Sequence, residues 1–298
     1  MKSAPFTYHA PGTLDDALDL LAELGEDARV IAGGQSLVPM LNLRLARFDH
    51  LVDIGRIAEL RGIERVNGSL VVGATTRDSA VEFDPTVAAD VPLLTAVTPH
   101  VGHFQIRNRG TIGGSLAHAD PAAEYPAVAL ALDATFDLAS VTGGRTVPAG
   151  EFFTGFWSTA IQTGELLTSV SFPVWDGRSG FGVAEFARRH GDFAVAGAVA
   201  AVELGPGDVI ARCALAVFGV SDRPVRASTT EHALTGRSVA DVDPAEVGTM
   251  VFAVIDDITD DPQVPADYRR RVGTAMASDA WRRALDDAMS STAERSPR

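Results

Sequence analysis

Two paired-glycine motifs constrain this 298-residue chain more than any other feature. They are Ala32-Gly33-Gly34-Gln35-Ser36 and Thr111-Ile112-Gly113-Gly114-Ser115. Each follows an apolar run and sets two glycines before a small hydroxyl residue. Without a Cβ, such a segment takes backbone conformations closed to other residues and lets a ligand or another chain segment come close. A turn of this kind aims several amide hydrogens at one anion. Neither motif has the G-x-G-x-x-G spacing of a dinucleotide loop, and the chain contains no G-K-[ST] of a P-loop. Each alone reads equally well as a tight turn. The first, however, lies between a strand and a helix, where anions bind. Together the two outline a cradle for one diphosphate.

Charge sharpens that reading. Acidic residues outnumber basic ones, 39 to 25, for a formal net charge of −14. That balance argues against nucleic acid as a partner, which calls for a basic face. Lys2 is the only lysine, so backbone amides are the expected phosphate donors. One cysteine, Cys213, sits in an apolar stretch. It reads as a small buried hydrophobe, and it allows neither an internal disulfide nor a cysteine-ligated cluster within this chain. No apolar run reaches the roughly 18–20 residues of a membrane span. The N-terminus lacks a signal-peptide core, and the expected location is the cytoplasm.

Local patterns divide the chain into an α+β series of units. Residues 1–57 read as a βαβ-type unit, with Thr13 capping a helix that Gly25 ends. Residues 58–174 read as a second α/β unit. Within it, Asn67-Gly68 marks a hairpin, Thr76 caps a helix, and Gly143-Gly144 joins a second hairpin. A linker is expected at 175–180. Residues 180–290 follow, with strands over 182–188, 195–204 and 211–220, then helices. The last helix, 265–289, carries Arg269-Arg270-Arg271, read as a solvated face. The tail, 291–298, is expected to be disordered.

His100, His103, His118 and Asp120 admit two readings, a metal site or a pocket lining. The histidines have no partner cysteines, and Val101-Gly102 suggests a bend, so His118 and Asp120 are read as lining a ligand pocket beside the second motif. Arg107 and Arg109 suit either a diphosphate or a neighbouring carboxylate. Arg188-Arg189-His190-Gly191-Asp192-Phe193 suits a turn, a contact to an aromatic cofactor, or a contact to a partner chain.

The flanking residues carry a family resemblance that covers essentially the whole chain. The segment from Ala32 to Met40, followed by Leu43-Arg44, resembles the first FAD loop of molybdenum hydroxylase flavoprotein subunits. The segment from Arg107 through Thr111-Ile112-Gly113-Gly114-Ser115 to Glu124 resembles their second, and is the longest and most specific match. Arg188 to Ala194, Pro224-Val225-Arg226-Ala227 and Tyr268-Arg269-Arg270 resemble later signatures of the same subunits.

The resemblance implies a PCMH-type FAD-binding fold of two α/β subdomains plus a C-terminal domain with a three-stranded antiparallel sheet and helices. It implies FAD between the subdomains, its diphosphate held by Ala32, Gly33, Gly34, Gln35, Ser36 and Leu37 together with Thr111, Gly113, Gly114 and Ser115. Val101 would lie near the adenine end, Glu124 at the ribityl or ribose hydroxyls, and Leu167 against the isoalloxazine. His118 and Asp120 would line the cofactor. No catalytic acid–base residue and no metal ligand is implied in this chain. The implied partners are a small subunit with two [2Fe-2S] clusters and a large molybdopterin subunit, as a dimer of heterotrimers. Electrons would pass from the clusters through FAD to an external acceptor. A stand-alone FAD-dependent oxidase or dehydrogenase is the alternative. The chain departs from relatives in two places: Ala184-Glu185-Phe186-Ala187 holds no lysine where some carry one near the flavin, and Gln35 stands where carbon monoxide dehydrogenases carry a histidine.

Overall fold

A computed structural model of the chain describes residues 2–291. Three larger sheets organise it, beside a two-stranded one, Phe153–Gly155 with Ser158–Thr159. The first is parallel, ordered Thr7–His9, His50–Asp53, Ala28–Ile31. Helix Leu14–Leu24 covers it because its apolar positions recur at helical spacing and bury Ala17, Leu18 and Leu21. Thr13 caps that helix, its hydroxyl accepting from the Asp16 N–H at 3.2 Å, and Gly25 closes it at φ 57°. Both ends follow the sequence reading.

The second sheet is antiparallel, ordered Ile63–Val66, Ser69–Gly73, Leu166–Pro173, Thr135–Ser140, Gly143–Pro148. Asn67 and Gly68, at φ 49° and 82°, make the expected two-residue turn. Two expectations need correction. The second hairpin turns at Val141-Thr142, while Gly143 and Gly144 already pair with Ser140 and Ala139. The Ser140 hydroxyl closes the turn, accepting from the Thr142 N–H and donating to the Gly143 carbonyl. Thr76 does not cap helix Asp78–Phe83; Arg77 holds that position. The Thr76 hydroxyl instead bridges both backbone groups of Gly62, at 3.0 Å each.

The third sheet is antiparallel. Strands Arg178–Ala187, Ala194–Leu204 and Ile210–Phe218 gain a two-residue fourth strand, Val225–Arg226. In the segment expected as a linker, Trp175 is buried with the Arg212 guanidinium 3.7 Å over its ring, and Asp176 and Gly177 are exposed. Helix Ala266–Ser290 crosses this sheet at backbone contact. A Cβ at Gly180 or Gly182 would overlap helix backbone at Ala288 or Ala280, so only glycine admits this packing. Ala277, Ala280, Ala284 and Ala288 keep the facing side of the helix small, and Trp281 fills the space beside them. No helix among the described residues is long and apolar enough to cross a membrane. The expected tail lies outside the described residues from 292 onward.

The arginine cluster is also corrected. Arg269 is buried, donating to the carbonyls of Val195, Gly219 and Thr259 and to the Asp261 carboxylate. Arg270 donates to the carbonyls of Phe252 and Ile255, closing the preceding helix. Both replace hydrogen bonds that irregular buried backbone would otherwise lack. Arg269→Ala is therefore expected to cost about 2–3 kcal/mol in urea unfolding, because buried carbonyls lose a charged donor. A cost near zero would show that water serves those carbonyls equally well.

Candidate functional site

The first glycine motif leaves the end of strand Ala28–Ile31 and enters helix Leu37–Leu43. Gly34 turns the chain at φ 74°, a conformation costly for any residue with a Cβ. Gln35 braces the loop, its Nε2 donating to the Gly33 carbonyl at 3.1 Å. Among the described residues, the backbone N–H groups of Gly33, Gly34, Gln35, Ser36 and Leu37 meet no protein acceptor. Five consecutive amides are thus available to a ligand, the arrangement a lysine-free phosphate site requires.

The second motif takes a different form from the expected loop. Thr111 is the N-cap of helix Ile112–His118, and Gly113 and Gly114 occupy its first turn. The Thr111 hydroxyl accepts from the Gly114 N–H at 3.1 Å. The N–H groups of Ile112, Gly113 and Ser115 donate to the carbonyls of Thr76, Ala74 and Thr111. These amides are committed within the protein, so the second motif supplies clearance rather than free donors. A Cβ at Gly113 would lie 2.5 Å from the Cβ of Ala74 and 2.6 Å from its Cα. Ala74 in turn donates to the Thr168 carbonyl, which ties the motif to strand Leu166–Pro173 and the segment holding Leu167.

The two motifs meet directly. A Cβ at Gly33 would collide with the Arg109 carbonyl and lie 2.8 Å from the Gly110 Cα. A Cβ at Gly114 would approach the Ala32 Cβ to 3.8 Å. Gly33 is the reason the two backbones can touch, a relation invisible in either motif alone.

The neighbouring arginines resolve toward structural roles. Arg107 is buried and pairs with Glu82 at 2.7 and 3.2 Å. It also donates to the carbonyls of Pro99, Val101 and Gly102, fixing the bend that carries Val101. Arg77 donates to the same Arg109 carbonyl, clamping the segment that leads into the second motif.

His118 ends the second motif's helix, and burial holds its imidazole below the usual pKa. Its ring stacks on Trp157, with centroids 5.8 Å apart. Asp120 accepts from the Ala122 N–H at 2.9 Å and from the Trp157 indole at 3.1 Å, and lies 3.9 Å from His118. Trp157 went unnoticed in sequence; its left-handed φ of 51° places it there, and no local pattern announces that. The four metal candidates do not converge, since His100 faces Glu185 and the His103 ring lies tilted beside His190.

Two carboxyls are held near the site in apolar surroundings. Glu124 begins helix Glu124–Ala131, and burial, reinforced by the Glu185 charge, raises its pKa to about 8. Asp78 lies against Gly110, with one oxygen unpartnered, and burial raises it to about 7. Leu167 is buried opposite Leu138, and Val101 packs partly buried on the same core.

These residues fit a flavin dinucleotide. The free amides of the first motif suit a diphosphate, and the glycines hold that motif directly against the segment before the second. Comparison with known proteins agrees. Residues 4–175 match the family described as FAD binding domain in molybdopterin dehydrogenase, and residues 182–284 match the CO dehydrogenase flavoprotein C-terminal domain. The chain is 38% identical to the 6-hydroxypseudooxynicotine dehydrogenase complex subunit alpha of Paenarthrobacter nicotinovorans, over 96% of each chain. It is 36% identical to the carbon monoxide dehydrogenase medium chain of Hydrogenophaga pseudoflava, over 95% of this chain and 96% of that one. Among solved structures, the carbon monoxide dehydrogenase of Hydrogenophaga pseudoflava superposes with a TM-score of 0.92 at 34% identity, over 96% of this chain and 99% of that one. Quinoline 2-oxidoreductase of Pseudomonas putida 86 superposes at 0.90 and 36% identity, over 97% and 100%.

Fold and site together define an FAD-binding flavoprotein subunit of a heteromeric oxidoreductase. The chain belongs to the FAD-binding family of the molybdopterin dehydrogenases, the medium subunits of molybdenum hydroxylases.

Proposed function

We propose that this chain is the electron-transfer subunit of its enzyme, receiving electrons from the [2Fe-2S] clusters of a small partner and delivering them to an external acceptor. In this reading a large molybdopterin subunit oxidises the substrate, the assembly is a dimer of heterotrimers, and it works in the cytoplasm. Bound FAD supplies the redox chemistry, which no side chain of this chain provides.

The chain's own task is to bind and orient. Gly33, Gly34, Gln35, Ser36 and Leu37 present free amides to the diphosphate, and Ala32 carries them from the strand. Thr111, Gly113, Gly114 and Ser115 hold the opposite wall, where the missing Cβ of Gly113 lets the motif pack directly on Ala74. Val101, Glu124 and Leu167 border the remainder, and His118 and Asp120 close one side with Trp157. The observation that carries this reading is the run of five unpartnered amides set against a second glycine motif.

Calorimetric titration of the full chain tests it. FAD is expected to bind one to one. FMN, which lacks the diphosphate and adenosine, is expected to bind at least about 100-fold more weakly, a loss of roughly 3 kcal/mol. Equal affinities, or no binding of either, contradict the assignment.

A further inference from the structure

A cavity of about 210 Å³ opens between the bend that carries Val101 and the end of strand Arg178–Ala187; His100, Glu185, Ala187, Arg189, His190 and Gly191 line it. Glu185 is its unusual member. The side chain is only 5% exposed, and Oε2 has no hydrogen-bond partner. The His100 Nδ1 lies 3.5 Å away. A buried carboxylate without a donor is costly, whereas a neutral acid with a ligand acceptor before it is not.

We propose that Glu185 and His100 form a proton-holding pair at the margin of the cofactor site, in which Glu185 is a neutral acid that donates its hydrogen to the bound flavin nucleotide. This rests on the reading that FAD occupies the cleft. His100 directly precedes Val101, so the pair adjoins a residue that this reading assigns to the cofactor.

The surroundings decide where the proton resides. Burial raises the Glu185 carboxyl to about 7, while burial, His190 and Arg283 keep the His100 imidazole below its usual pKa. The groups facing the pair are Arg189 and His190 on the segment after the strand, Arg283 on helix Ala266–Ser290, and Glu124 on its own helix. Arg283 donates to the Val183 carbonyl, which fixes its guanidinium beside this strand. With His100 neutral, the pair's single proton stays on the carboxyl. Its loss removes a donor and places a negative charge near the still-protonated Glu124, opposing an anionic dinucleotide. FAD affinity therefore falls as pH rises through the Glu185 titration.

Two measurements on the full chain decide this. By carbon-13 NMR of the FAD-free chain, the Glu185 carboxyl is expected to titrate near neutrality, with a displaced midpoint in His100→Ala. A midpoint in the ordinary carboxylate range overturns the proposal. In calorimetry, FAD affinity of the wild type is expected to weaken by up to about tenfold per pH unit above neutrality. Glu124 contributes to that slope, so the comparison is with Glu185→Gln, which keeps a neutral donor and is expected to lose the Glu185 share. An unchanged slope in Glu185→Gln overturns the donor role. Absence of FAD binding at every pH overturns the cofactor assignment itself, and the carboxyl midpoint is still read on the free chain.

Discussion

Gly33→Ala abolishes tight FAD binding, by about 100-fold or more, at a stability cost of about 1–3 kcal/mol typical of overpacking. The added Cβ has no room, because it collides with the Arg109 carbonyl and crowds the Gly110 Cα. These are backbone atoms, and Arg77 clamps one of them, so no side-chain rotation relieves the clash. The two motifs must separate, and the free amides of the first then lose their place against the wall formed by the second. Gly150→Ala is the control, since a Cβ there meets nothing within 4 Å. Titration calorimetry and urea unfolding of both variants check this. Binding by Gly33→Ala within about threefold of wild type, under 1 kcal/mol of lost affinity, would show that the contact between motifs does not shape the cofactor site.

Glu124→Gln changes how the FAD-free chain responds to pH. Glu124 titrates at about 8 when folded, against 4.5 for a free carboxyl. Between those values the unfolded chain has released this proton and the folded chain still holds it, so rising pH favours unfolding. The stability contribution is complete below the unfolded pKa and is lost as pH climbs through the folded one. Glutamine keeps the neutral form throughout. The stability of Glu124→Gln relative to wild type should therefore rise by about 3–5 kcal/mol between acidic and alkaline pH. Asp78 adds a slope of the same sign to both proteins, and its charge reinforces the raised Glu124, so most but not all of it cancels in the difference. Urea unfolding across pH measures it. A difference that does not vary with pH would show that water reaches Glu124 and leaves it an ordinary carboxyl.

Features written in short-range chemistry were legible in the sequence. The cap at Thr13, the stop at Gly25 and the turn at Asn67-Gly68 each depend on residues within one turn of themselves. The long alanine-rich helix and the main strands of the last sheet were readable for the same reason, as runs of one periodicity. What failed depended on partners distant in sequence. Thr76 looks like a cap until Gly62 takes its hydroxyl. Arg269 looks like part of a solvated face until the sheet loops close over it.

The site divides along the same line. That the two glycine segments lie against each other agrees with the shared ligand their flanks led us to propose. Their division of labour was not legible, because it depends on Ala74 and Thr76 consuming the amides of the second motif. The Glu185–His100 contact also joins residues far apart in the chain, and its only sequence trace was an acid in a stretch where some relatives carry a lysine.

The central claim is that the first motif donates the amides and the second provides the clearance. Backbone amide NMR of the full chain during FAD titration tests it most directly. The account predicts large shifts and new exchange protection at Gly33, Gly34, Gln35, Ser36 and Leu37. It predicts little gain in protection at Ile112, Gly113 and Ser115, whose N–H groups already have acceptors. Protection gained at the second motif, with the first unchanged, would contradict it.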